Sequence, residues 1–95
     1  MVPAPYLFCK YMFNVYIIQS EKTKDLYFGY TTDVEKRIES HNQGLNSSTK
    51  FGVPWVIIYT ESYRSEKDAR KREQTLKQYG NARTYIKRRL KNSLL

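Results

Sequence analysis

Two β-rich runs joined by a short polar turn constrain this chain more than any other feature. Phe13–Gln19 (F-N-V-Y-I-I-Q) and Leu26–Thr31 (L-Y-F-G-Y-T) each have strand length and are dominated by β-branched and aromatic residues. Ser20–Asp25 between them is polar, so the pair reads as an antiparallel hairpin. The turn is longer than two residues and does not set the register by itself. A third run, Trp55–Thr60 (W-V-I-I-Y-T), follows Pro54 and is the most apolar, which predicts a central strand.

Helices fill the rest. Thr32 with Glu35 three residues on has the capping-box pattern, predicting a helix from there to about His41 with Val34 and Ile38 as its core positions. Gly44–Gly52 is a polar loop. Ser65 is placed to cap a longer helix running to about Tyr79, where Gly80 would end it. A last helix from about Ala82 to Lys91 would dock through Ile86 and Leu90. The order ββαβαα predicts an α+β domain, a small three-stranded antiparallel sheet flanked by helices, over residues 12–95. Residues 1–11 carry Pro3 and Pro5 and no period, and Met12 stands directly before the first strand. They are expected to form a loosely ordered tail.

Charge is distributed unevenly. The net charge of the whole chain is +8, and all of the excess lies in residues 64–95, where eleven Lys/Arg face only Glu66, Asp68 and Glu73. Solubility does not require one sign, so this field points to a polyanion, with nucleic acid ahead of an anionic membrane surface. Cys9 is the only cysteine, which excludes an intramolecular disulfide and a cysteine-clustered zinc site and fits a reducing cytoplasm. No stretch reaches the ~18 apolar residues of a membrane span.

Several polar side chains fall among residues expected to be buried. Glu73 lies four residues after Ala69 and three before Leu76, so it projects from the inward stripe of its helix. It is either a local ion pair with its basic neighbours or a ligand for a hard divalent cation, which binds through one or two carboxylates plus phosphate oxygens and water. Arg37 and His41 flank Ile38 on one helix edge and together can hold a phosphate and move a proton. Taken singly, Arg37 has Asp33 or Glu61 as ion-pair partners and His41 can be a simple C-terminal cap. Tyr16 and Tyr27 stand on neighbouring strands. A free phenol titrates near 10, so either needs a nearby cation to act as a base at neutral pH.

These residues, in this order, resemble the GIY-YIG nuclease superfamily, in particular its small stand-alone bacterial members and the nuclease half of the bacterial repair excinuclease. The two name motifs correspond to Asn14-Val15-Tyr16 and Tyr27-Phe28-Gly29, and the second continues through Y-T-T-D-V-E-K-R-I-E-S-H-N. The resemblance extends through P-W-V-I-I-Y-T-E-S-Y-R-S-E-K-D-A-R-K-R-E-Q-T-L-K and covers residues 12–90. It implies a DNA endonuclease using one Mg²⁺ or Mn²⁺ ion and no organic cofactor. Tyr16 and Tyr27 would flank the attacking nucleophile, Arg37 would stabilise charge on the scissile phosphate, His41 would assist proton transfer, and Glu73 would hold the metal. Gly29 would leave room for close approach beside the site. Lys50, Arg70, Lys77, Arg83, Lys87 and Arg88 are the candidate nucleic-acid contacts. Three departures stand out. Asn14 replaces the first motif's glycine, Tyr30 stands where the excinuclease half has lysine, and Asn81 does not match the spacing of an asparagine that some members carry. A binding module on the same fold that does not cut, and an adaptor working through residues 1–11, are the competing readings.

Overall fold

Successive side chains of a strand point to opposite faces, and in the first strand both sets are apolar. The computed structural model describes residues 12–95, and the tail expected over residues 1–11 lies outside the described residues. Strand β1 (Phe13–Ser20) is flanked by β2 (Leu26–Thr31) and β3 (Trp55–Tyr63) in one antiparallel sheet of order β2-β1-β3. Helix α1 (Val34–Asn42) follows β2, and α2 (Glu66–Gln78) and α3 (Gly80–Arg89) follow β3. This is the expected α+β order ββαβαα.

Residues of β1 from Asn14 to Ser20 are all buried, because helices cover both faces of the sheet. Val15 and Ile17 pack with Phe28, Ala69, Leu76, Ile86 and Leu90, so α2 and α3 share one face. Tyr16 and Ile18 pack with Trp55, Tyr27, Ile38 and Val53 on the other, beneath α1. One corrected expectation concerns the central strand, which is β1 and not β3. Apolar content misled because β1 carries polar residues that are buried and satisfied by its neighbours. Asn14 Nδ2 donates to the Thr31 carbonyl at 3.3 Å and its Oδ1 accepts from Ser62 Oγ at 2.6 Å. Gln19 Nε2 donates to the Lys24 carbonyl at 3.0 Å. Edge strand β3 continues past Thr60 to Tyr63 because Glu61 is neutralised by Arg72 of α2 at 3.0 Å and accepts from the Tyr59 and Tyr63 hydroxyls.

The helix ends also differ from expectation. Asp33, not Thr32, caps α1, its carboxylate accepting from the Lys36 amide at 3.1 Å. Thr31 already braces Asp33 through its hydroxyl, which shifts the cap by one residue. Ser65 occupies the cap position of α2, but its side chain makes no capping bond, and Glu66 and Asp68 in the first turn complement the helix dipole instead. Gly80 does not end α2 but begins α3. The carbonyls left open at the end of α2, those of Leu76 and Lys77, are taken by the Arg83 guanidinium at 2.9 and 2.8 Å.

The two-sided burial of β1 has a direct test. Ile17→Ala, at a fully buried position, should lower unfolding free energy in urea by about 2–5 kcal/mol. Ile57→Ala on β3, where the side chain keeps 39% of its exposure, should lower it by less than about half as much. Equal losses would contradict the sheet order.

Candidate active site

Helix α1 turns one stripe, Val34, Arg37, Ile38 and His41, toward the sheet, the spacing of a single helical face. Two of the four are polar, so their partners must come from the strand below. Tyr16 on β1 supplies them, its hydroxyl meeting His41 Nε2 at 2.8 Å and accepting from Arg37 Nε at 3.3 Å. On its other side, His41 Nδ1 meets the Thr49 hydroxyl at 2.8 Å. Thr49 Oγ1 lies 3.4 Å from the Asn46 carbonyl and donates to it, so Thr49 accepts from Nδ1–H. That leaves Nε2 as the acceptor for the Tyr16 proton. The result is one directional chain from Arg37 through Tyr16 and His41 to Thr49.

His41 and Thr49 are fully enclosed, with exposures of 0% and 1%. Burial, then the charge of Arg37, lowers the His41 pKa below its ordinary 6.5, which keeps the imidazole neutral at pH 7. Burial raises the Tyr16 phenol above 10.0. The Arg37 hydrogen bond works against that rise, and Tyr27 and Glu73 add to it. Tyr16 therefore rests as a neutral phenol whose proton has a ready acceptor. Gly29 pairs with Tyr16 across the strands, and a Cβ there would overlap the Tyr16 ring and hydroxyl. The close approach is thus made by a side chain of this same chain.

Tyr27, half-buried on β2, turns its ring edge to His41 at 5.0 Å between centroids and lies 6.3 Å from the Tyr16 ring. The Lys77 ammonium sits 5.4 Å from the Tyr27 ring centroid and 3.1 Å from Glu73 Oε2. Helix α2 therefore reaches the phenols past the β2 edge, where the two faces of the sheet meet. The Glu73 side chain keeps only 16% of its exposure. The structure thus gathers Tyr16, Tyr27, Arg37 and His41, with Glu73 beside them. It does not pair Arg37 with Asp33 or Glu61, and His41 is an enclosed link and not an exposed cap.

The candidate nucleic-acid contacts are scattered. Lys77 borders the site. Lys50 lies over the Phe51 ring at 5.0 Å on the loop that carries Thr49. Arg70 stacks on Tyr30 at 3.9 Å and pairs with Glu66 at 3.5 Å, so both Tyr30 and Arg70 are occupied with each other. Arg83 holds the end of α2. Lys87 and Arg88 lie on α3, whose Ile86 and Leu90 dock on the face opposite Tyr16. Sequence reasoning missed Thr49 as the partner of His41. It sits in a polar loop without periodicity, and the only nearby signal is Trp55, whose indole N–H donates to the Thr49 carbonyl at 2.8 Å.

The profile of the GIY-YIG catalytic domain matches residues 12–92. This chain belongs to the GIY-YIG family. A UPF0213 protein of Staphylococcus haemolyticus is 42% identical over 66 residues, covering 68% of this chain and 79% of the relative. One from the archaeon Halobacterium salinarum is 40% identical over 73 residues, covering 75% of this chain and 92% of its own length. Their names state no activity. No solved structure matches.

Two outcomes test the hydrogen-bonded chain of this GIY-YIG domain. Thr49→Val keeps the volume but strands a buried imidazole N–H, and should cost about 1–3 kcal/mol of unfolding free energy. His41 is the only histidine, and its folded pKa is depressed. The folded state therefore binds the proton less readily than the unfolded chain. The stabilisation is complete above about pH 6.5 and is lost as pH falls through the folded value. Urea midpoints should drop as pH falls below about 6.5 in the native protein. They should stay level over that range in His41→Asn.

Proposed function

We propose that this protein is a metal-dependent DNA endonuclease that hydrolyses one phosphodiester bond per event. The observation that carries the reading is the Tyr16 oxygen, bonded at once to a guanidinium and to a neutral imidazole acceptor. A structural tyrosine needs one partner. Two partners of opposite character make a proton path.

Arg37 spends only Nε on Tyr16. Its terminal nitrogens can donate to a phosphate and oppose the negative charge that grows on it during attack. A water aligned on that phosphate gives its proton to the Tyr16 oxygen as the phenol passes its own to His41 Nε2. The resulting hydroxide attacks phosphorus, one P–O ester bond breaks, the departing alkoxide takes a proton from solvent, and His41 returns its proton through the Tyr16 oxygen to solvent, which restores the neutral imidazole. Because the Tyr16 phenol is pushed above its ordinary range, this relay and not a resting phenolate is the base. Tyr27, half-exposed and beside Arg37, shapes the mouth through which the phosphate enters.

Glu73 fits the role of metal ligand. It is a single, largely covered carboxylate beside the phenols, and among the described residues no cluster of three or more His, Cys, Asp or Glu exists that would hold an ion without substrate. One Mg²⁺ or Mn²⁺ bound by one carboxylate, with phosphate oxygens and water completing the shell, suits such a site, and Lys77 would yield its place on Glu73. When bound, the ion polarises the phosphate and stabilises the leaving oxygen. DNA as substrate follows from the family and from the basic last third of the chain. Among the described residues no helix is long and apolar enough to cross a membrane.

The test is incubation with plain, nicked and branched duplex, with Mg²⁺ or Mn²⁺ and with chelator. Metal-dependent nicking is expected. Arg37→Ala and Glu73→Gln should each reduce the rate by about 10²–10³-fold while DNA binding in chelator persists. Unchanged cleavage in Glu73→Gln would remove the metal assignment. Salt-sensitive binding by the native protein with no cleavage under any condition would make it a binding module on this fold.

A further inference from the structure

Most of the cations of α3 face away from the candidate active site. From residue 74 to residue 95 the chain has no acidic side chain and six Lys/Arg. Thr84, Lys87, Arg88 and Lys91 follow the spacing of one helical stripe and, with Leu94, line a groove. Lys87, Arg88 and Lys91 are exposed, and among the described residues none pairs with a carboxylate. Arg88 lies 5.8 Å from the ring of Tyr85, which is 66% exposed. The buried side of the same helix, Ile86 and Leu90, packs on Val15 and Ile17, whereas Tyr16 and Ile18 face α1. The groove and the phenol site are therefore on opposite sides of the sheet.

Such a body is 25 Å across at its thinnest. Duplex DNA is stiff on this scale, with a persistence length of ~150 base pairs, so a duplex lying against one face of the sheet does not bend round to the other. We infer that the α3 groove is a second nucleic-acid surface, which seats the phosphate backbone of a different duplex segment from the one whose phosphate enters the phenol site. The substrate class that satisfies both faces has two duplex arms held side by side, such as a branched junction or a pair of duplexes. Exposed ammonium and guanidinium groups with no acidic neighbour attract phosphates without reading bases, and Tyr85 offers a flat partner for a sugar or base at the rim. The inference rests on the proposed function only for the occupant of the first face.

The test needs no catalysis. In chelator, two short duplexes carrying different fluorophores are mixed with the full chain, energy transfer reports bridging, and sedimentation reports the composition of the complex. Transfer is expected, with one chain holding two duplexes. Combined Lys87→Ala, Arg88→Ala and Lys91→Ala should abolish transfer, leave one duplex bound, and reduce the slope of log affinity against log salt by about 2–3. The charge-keeping set Lys87→Arg, Arg88→Lys and Lys91→Arg should restore transfer, which separates lost charge from lost folding. Transfer unchanged by the alanine set, complexes containing two chains, or loss of all DNA binding in the alanine set would each overturn the inference. So would loss of binding to phosphatidylserine vesicles with bridging intact, which would assign the groove to a membrane. Bridging without nicking in the presence of Mg²⁺ would sink the endonuclease reading and leave this one standing. Nicking without bridging would do the reverse.

Discussion

Everything in this domain is organised by the burial of β1 on both faces. A strand covered on one face needs one apolar set. β1 has two, Val15 with Ile17 and Tyr16 with Ile18, and each must be roofed by helix. α2 and α3 roof the first set, and α1 roofs the second. That division places the phenol–imidazole cluster and the basic α3 groove on opposite sides of one sheet. It also explains why α2 must reach round the β2 edge for Lys77 to lie over Tyr27.

Enclosure supplies the chemistry of the candidate site. Tyr16, His41 and Thr49 would be ordinary polar groups in water. Buried, each must find a partner, and with Thr49 donating to the Asn46 carbonyl the bonds run in one direction from Arg37 to Thr49. The same burial keeps the imidazole neutral and the phenol protonated, so a weak acid faces an available acceptor with a guanidinium alongside. A second, half-buried polar cluster lies under α2, where Glu61 joins Arg72, Tyr59 and Tyr63. Burial and the Glu61 bond push both phenols up to about 12. It closes on itself and ties β3 to α2, as expected of a structural network.

Local pattern carried much of this. The hairpin, the inward stripe of α1 with Arg37 and His41 flanking Ile38, and the position of Glu73 between Ala69 and Leu76 all follow from periods of two or of 3.6 residues, which a sequence displays directly. The family motifs follow in the same way, since they are fixed spacings along the chain. Strand order was not legible. The most apolar run proved to be an edge strand, because buried polar residues of β1 are satisfied by partners 17 and 48 positions away. The end of α2 near Tyr79 was legible but its closure was not, because its carbonyls are taken by Arg83 of the next helix and not by a turn at Gly80.

By itself, then, the sequence determined the elements and their order, the one-sided charge of the last third, and the set of polar residues able to face inward. Those are properties of neighbours within about one helical turn. Only the tertiary structure decided that Thr49 orients His41, that Gly29 yields its space to the Tyr16 ring, and that Lys87 and Arg88 look away from the phenols. Each of these is a distance between groups far apart in the chain, and such distances exist only once β1 has been covered from both sides.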